Sequence, residues 1–128
     1  MTREEFIKVL DEKGYSYEIV GDLIIVTHRG DVRLESLETL PPGVEFKNEG
    51  WVHLDSLKTL PSGVEFKNGG DVDLYSLETL PPGVVFNNGG YVLLESLVGG
   101  WFEEWSGNIE GVDSKRILNL MIKKGVFI

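Results

Sequence analysis

The chemistry open to this chain rests on carboxylates, two histidines and a few aromatics that recur at fixed spacing. Glu35 with Asp55, and Asp71 with Asp73, are acid pairs of the kind that divide general acid and base roles in glycoside hydrolysis. That division needs a pocket to keep one carboxyl group protonated, and an acidic ladder on an open sheet face offers none. His28 and His53 have no cysteine or helical H-x-x-x-H partner, which argues against a zinc site. "GGDVDL", from Gly69 to Leu74, shares residue types with calcium-binding β-rolls, but their nonapeptide period is absent. "NGGD" and "NGGY" open strands rather than helices, and no Gly-Lys-Ser/Thr follows, so a phosphate loop is excluded. The expectation is a protein that is not an enzyme, with no catalytic residues, metal or cofactor.

The elements that position these side chains come from an internal repeat. "GDVRLESLETLPPGVEFKNE" (Gly30 to Glu49), "GWVHLDSLKTLPSGVEFKNG" (Gly50 to Gly69) and "GDVDLYSLETLPPGVVFNNG" (Gly70 to Gly89) share a period of 20, and "GYVLLESL" begins a fourth unit at Gly90. Val32 and Leu34, like their equivalents, alternate with polar neighbours, the pattern of a strand with one buried face. Leu37 and Leu40 lead into a corner closed by Pro41, Pro42 and Gly43, and Val44 and Phe46 mark a second extended segment. Asn48 and Gly50 supply the next turn. Two turns per unit predict one coil of a solenoid, with coils stacked about 4.8 Å apart. A single coil cannot bury enough surface to stand alone, so columns such as Phe46/Phe66/Phe86 and Leu40/Leu60/Leu80 must hold the stack together.

The expected fold is a mainly β solenoid forming a single domain over residues 1–128, with a helix and hairpin cap at 1–29, repeat coils at 30–97 and a helical cap at 98–128. Thr2 and Glu5 form a capping box for a helix whose apolar face is Phe6, Val9 and Leu10 and which ends at Gly14. "YSYEIV", Gly21-Asp22 and "LIIVTH" read as a hairpin joined to the first coil. Asp113 or Ser114 caps a second helix carrying Ile117, Leu118, Met121 and Ile122, after which "VFI" reads as a last strand. Trp101, Phe102 and Trp105 fall between the coils and that helix, where they could cap the core or extend a surface.

Along "VxLxSLxTLPxGV" the chain resembles leucine-rich repeats, in particular the short bacterial kind with 20-residue units and a Leu-Pro pair, and is similar to Gly-Gly-punctuated repeats of bacterial and phage proteins. The resemblance covers residues 22–97. It departs from the usual pattern at Leu37, Leu57, Leu77 and Leu97, which stand where an Asn would bond the turn, so both a horseshoe and a flatter, β-helix-like stack stay open. The resemblance implies protein binding on the strand face and no shared catalytic residues.

Variation between coils points to the same face. The inward positions barely change, whereas Asp31/Trp51/Asp71/Tyr91, Arg33/His53/Asp73/Leu93 and Glu35/Asp55/Tyr75/Glu95 change from coil to coil. Exposure alone does not account for this, because Ser36/Ser56/Ser76/Ser96 and Thr39/Thr59/Thr79 stay fixed. Trp51, Tyr75 and Tyr91 are interface-type anchors, set among the acids Asp31, Glu35, Asp55, Asp71, Asp73 and Glu95 and the base Arg33. With a net charge of -9, phosphate backbones and anionic lipids are poor partners and a basic protein is a good one. The predicted function is an acidic inhibitor that occludes a basic or nucleic-acid-binding protein, in the manner of a phage anti-defence (anti-CRISPR) protein, with no direct contact to nucleic acid or membrane. A carbohydrate-binding module and a structural or assembly protein are the competing classes. Absence of cysteine, of a signal-like N-terminus and of an apolar run of about 20 residues predicts a cytoplasmic location.

Overall fold

The computed structural model describes residues 1–79, 81, 83–94 and 96. Helix α1 (Arg3–Lys13) starts at Thr2, whose Oγ1 accepts the Glu5 N–H at 3.1 Å, and stops at Gly14, which takes the left-handed conformation with φ 72°. Phe6 and Leu10 are fully buried and Val9 packs against the core beside them, as the capping box and apolar spacing predict. Strands β1 (Tyr17–Val20) and β2 (Leu23–Val26) form the expected antiparallel hairpin.

β2 then becomes the first member of a parallel stack. It pairs with β4 (Val44–Phe46), which pairs with β6 (Glu65–Phe66) and that with β8 (Val85–Phe86), giving one sheet in the order β1-β2-β4-β6-β8. A second, wholly parallel sheet runs β3 (Val32–Arg33), β5 (Val52–His53), β7 (Val72–Asp73), β9 (Val92–Leu93). Val32, Val52, Val72 and Val92 are direct register partners, so the 20-residue sequence period is the structural period. Each full coil lends one short strand to each sheet, and the chain is a mainly β solenoid with one N-terminal helix.

The core lies between the sheets as columns of like residues. Phe46 and Phe66 stack with ring centroids 5.3 Å apart and planes 4° apart, and Phe66 and Phe86 at 5.2 Å and 7°. Val32/Val52/Val72/Val92 and Leu34/Leu54/Leu74/Leu94 fill the opposite wall. Buried asparagines tie the turns. Asn68 Nδ2 lies 3.0 Å from Gly50 O at the start of its own coil, and 3.1 and 3.2 Å from Gly70 O and Asp71 O in the coil after it; Asn48 and Asn88 repeat the pattern. The backbone-bonding asparagines therefore stand at 48, 68 and 88, the turn opposite the Leu37 column. Gly69 and Gly89 follow these asparagines because the preceding coil leaves no room: a Cβ at either would collide with the carbonyl oxygen of Glu49 or Gly69. Position 49 holds a glutamate, its N–H bonding His28 O as the Gly69 N–H bonds Asn48 O.

Tyr15 joins the N-terminal cap to the second sheet, its hydroxyl accepting the Arg33 N–H at 3.0 Å on edge strand β3. Among the described residues no helix is long and apolar enough to cross a membrane. The helix expected after Ser114, the "VFI" strand and Trp101, Phe102 and Trp105 lie outside the described residues, as do Leu80, Glu95 and Leu97.

Candidate binding face

Among the described residues the variable positions of the repeat line up along the second sheet. Arg33, His53, Asp73 and Leu93 are successive register partners across β3, β5, β7 and β9, flanked by the Asp31 row and the Glu35 row. Trp51, Tyr75 and Tyr91 are 40%, 37% and 56% exposed, and no other aromatic among the described residues is as open. Asp31, Arg33 and Glu35 are exposed; His53, Asp55 and Asp71 are half-buried.

The alternation of Asp31, Trp51, Asp71 and Tyr91 has a cause in the backbone. The Trp51 N–H donates to Asp31 Oδ1 at 2.9 Å, and one repeat pair later the Tyr91 N–H donates to Asp71 Oδ1 at 2.8 Å. Each aspartate thus caps an amide of the next coil, and the coil that receives the bond carries the aromatic. The carboxylate also fills the space beside the following turn, where a Cβ at Gly50 or Gly90 would collide with it. These aspartates have a scaffold role as well as a place on the face.

Asp73 departs from an outward acidic ladder. It is only 5% exposed, with Oδ1 accepting the Tyr75 N–H at 3.2 Å and Oδ2 lying 4.0 Å from His53 Nδ1. Burial, then the negative charge of Asp55, push its pKa up from 3.8 to about 6, against the opposing pull of the Tyr75 N–H and of His53. The expectation that an open sheet raises no carboxyl pKa therefore fails here, because Asp73 sits beneath its neighbours and beside a second carboxyl group. His53, Asp55 and Asp73 each bring one ligand-type atom within 4.8 Å of the others. Asp55 Oδ1 is enclosed yet has no hydrogen-bond partner among the described residues. The Trp51 ring stacks on His53 at 5.5 Å and 27°, closing one side of this cluster.

The structure thus brings together Asp31 with Trp51, Asp71 with Tyr91, Asp73 with Tyr75, and His53 with Trp51, Asp55 and Asp73. Among the described residues neither Arg33 nor Glu35 takes a charged partner, and Glu95 lies outside them. A second polar cluster, on the outer side of the first sheet, escaped the sequence reading. Lys67 Nζ lies 2.9 Å from Glu45 Oε1 and 3.4 Å from Glu65 Oε2, and Lys47 Nζ 3.7 Å from Glu45 Oε2. Burial pushes the Glu45 pKa up, but hydrogen bonds from Glu65 and Lys67 and both lysine charges outweigh it and hold the pKa below the usual value. Glu65, donating to Glu45, is raised. The E-F-K run of the first two full units was the available signal, since period-two spacing puts Glu45 and Lys47 on one side of the strand.

No protein-family model, curated protein or solved structure matches the chain.

Proposed function

We propose that the chain is a non-enzymatic binding module that docks a basic protein on the outward side of its second sheet. The observation that carries this reading is the grouping of Trp51, Tyr75 and Tyr91, each at least 37% exposed, on one sheet face beside carboxylates. Large amphipathic rings held open to water are the side chains that supply most of the energy at protein interfaces, and short rigid strands present them with little entropy to lose. Asp31 and Glu35 add exposed negative charge, and the net charge of -9 favours encounter with a basic surface. The likeness of the coils to Leu-Pro-type leucine-rich repeats, which bind on the strand face, supports the same side of the molecule. In its narrower form the proposal is an inhibitor that covers the nucleic-acid-binding surface of its partner.

The test is capture of binders on the immobilised chain, followed by titration of a captured basic protein against purified variants. Trp51→Ala and Glu35→Lys are expected to weaken binding at least about ten-fold; Glu35→Lys leaves thermal unfolding unchanged, whereas Trp51→Ala also loses the stacking on His53 and is compared at a temperature where it is folded. Binding that survives both substitutions removes this face from the proposal. A glycan screen that succeeds where protein capture fails moves the reading to a carbohydrate-binding module.

A further inference from the structure

His53, Asp55 and Asp73 form a donor set that the chain's sequence spacing conceals. His53 and Asp73 are 20 residues apart yet are direct register partners across β5 and β7, and Asp55 follows His53 by two residues on the same side. One ligand-type atom from each lies within 4.8 Å of the other two. Donors around a divalent transition metal sit about 3 to 4 Å apart, so side-chain adjustments of about 1 Å close the set, with the backbone held by the sheet.

Two features separate this cluster from an ordinary acidic patch. It contains an imidazole, whose Nδ1 lies 4.0 Å from Asp73 Oδ2. It also contains an enclosed carboxylate oxygen, Asp55 Oδ1, with no hydrogen-bond donor among the described residues. An unpartnered carboxylate oxygen enclosed beside a second carboxylate is costly unless a cation sits between them. Among the described residues no lysine or arginine pairs with Asp55 or Asp73; Arg33, the register partner of His53, makes no ion pair with either. A proton or a metal ion can fill that place, and the imidazole completes a set that a proton alone does not need.

We propose that His53, Asp55 and Asp73 bind a divalent transition metal through one imidazole nitrogen and two carboxylate oxygens, with water completing the coordination. One nitrogen and two oxygens suit Zn²⁺ and its borderline neighbours, whereas Ca²⁺ and Mg²⁺ favour oxygen alone. The ion would join coil two to coil three beneath the Trp51 ring. This inference stands independently of the protein-binding reading, because the site is complete within one chain.

The experiment uses the full chain, stripped with a chelator, and Zn²⁺ alone as probe. Calorimetric titration is expected to show one Zn²⁺ per chain with micromolar or tighter affinity, accompanied by a change in tryptophan fluorescence that disappears in Trp51→Phe, since that ring stacks on His53. His53→Gln, Asp55→Asn and Asp73→Asn are each expected to weaken binding more than about ten-fold. Asp73→Asn relieves a buried charge and keeps its acceptor for the Tyr75 N–H, so it reports on the site even if another variant fails to fold. Absence of saturable binding below millimolar Zn²⁺ would overturn the proposal. So would full affinity in folded His53→Gln, or Ca²⁺ binding as tightly as Zn²⁺.

Discussion

Asp73→Asn tests the electrostatics of the candidate face directly. In the chelated protein Asp73 is a nearly buried carboxyl group beside Asp55, with its pKa raised from 3.8 to about 6 chiefly by burial and secondly by the Asp55 charge. A carboxyl group whose folded pKa lies above its unfolded value supports the fold while protonated. Its contribution is full below 3.8 and is lost as pH rises through about 6. The full shift sets a ceiling of about 3 kcal/mol, and water reaching the cluster past half-buried His53 and Asp55 reduces this to about 1 to 2 kcal/mol. Asparagine keeps the shape and the acceptor for the Tyr75 N–H and removes the charge. It is expected to stabilise the protein by about 1 to 2 kcal/mol near pH 7.5, roughly 3 to 8 °C in Tm, and to change little near pH 4. Urea unfolding followed by circular dichroism, run on both proteins across that range with chelator present, isolates Asp73 together with its coupling to Asp55, because carboxylates distant from the pair cancel in the difference. A difference that stays constant with pH, or an Asn variant less stable than the parent near neutrality, refutes the reasoning.

Two further substitutions test the scaffold. Asn68→Ala removes the amide that bridges the coils beginning at Gly50 and Gly70, and is expected to cost about 2 to 4 kcal/mol in urea unfolding, because its buried carbonyl partners lose their donor. Gly69→Ala drives a Cβ into the Glu49 carbonyl and is expected to cost more than about 2 kcal/mol by the same measurement, whereas Glu49→Gly, one coil earlier, changes stability by less than about 1 kcal/mol.

The fold was legible where packing repeats and the site was not, for one physical reason. Inward positions such as Val52, Leu54 and Phe66 face the same neighbours in every coil, so their identities recur and the 20-residue period declares the stack. The helix and hairpin were equally plain, because Thr2, Glu5, Gly14 and Gly21-Asp22 act on residues near them in sequence. Contacts across the stack join residues about one period apart, and their chemistry depends on how far each side chain sinks between its neighbours. Period two puts His53, Asp55 and Asp73 on one side, but it does not distinguish an exposed ladder from a cluster in which Asp73 is 5% exposed. The same limit hid Glu45, a charged residue at a strand position that proves to be buried among Lys47, Glu65 and Lys67.

These placements change what the variable face can offer a partner. Sequence counting gives it six acids, but their charges are not equally available. Asp31 and Asp71 are committed to the Trp51 and Tyr91 amides, and Asp73 is buried with its pKa raised. Replacing Asp31 or Asp71 would disturb the backbone that holds the neighbouring aromatic, so loss of binding in such a variant would not by itself measure charge. Among the described acids of this face Glu35 is exposed and takes part in no ion pair or backbone-amide bond, which is why it, rather than Asp71, is the informative site for charge reversal. The aromatics must then supply more of the recognition than net charge suggests, with Trp51 central because it is exposed itself and also covers His53. A metal held by His53, Asp55 and Asp73 would act on the same ring from beneath, fixing the imidazole on which Trp51 rests and cancelling negative charge that a basic partner would otherwise meet.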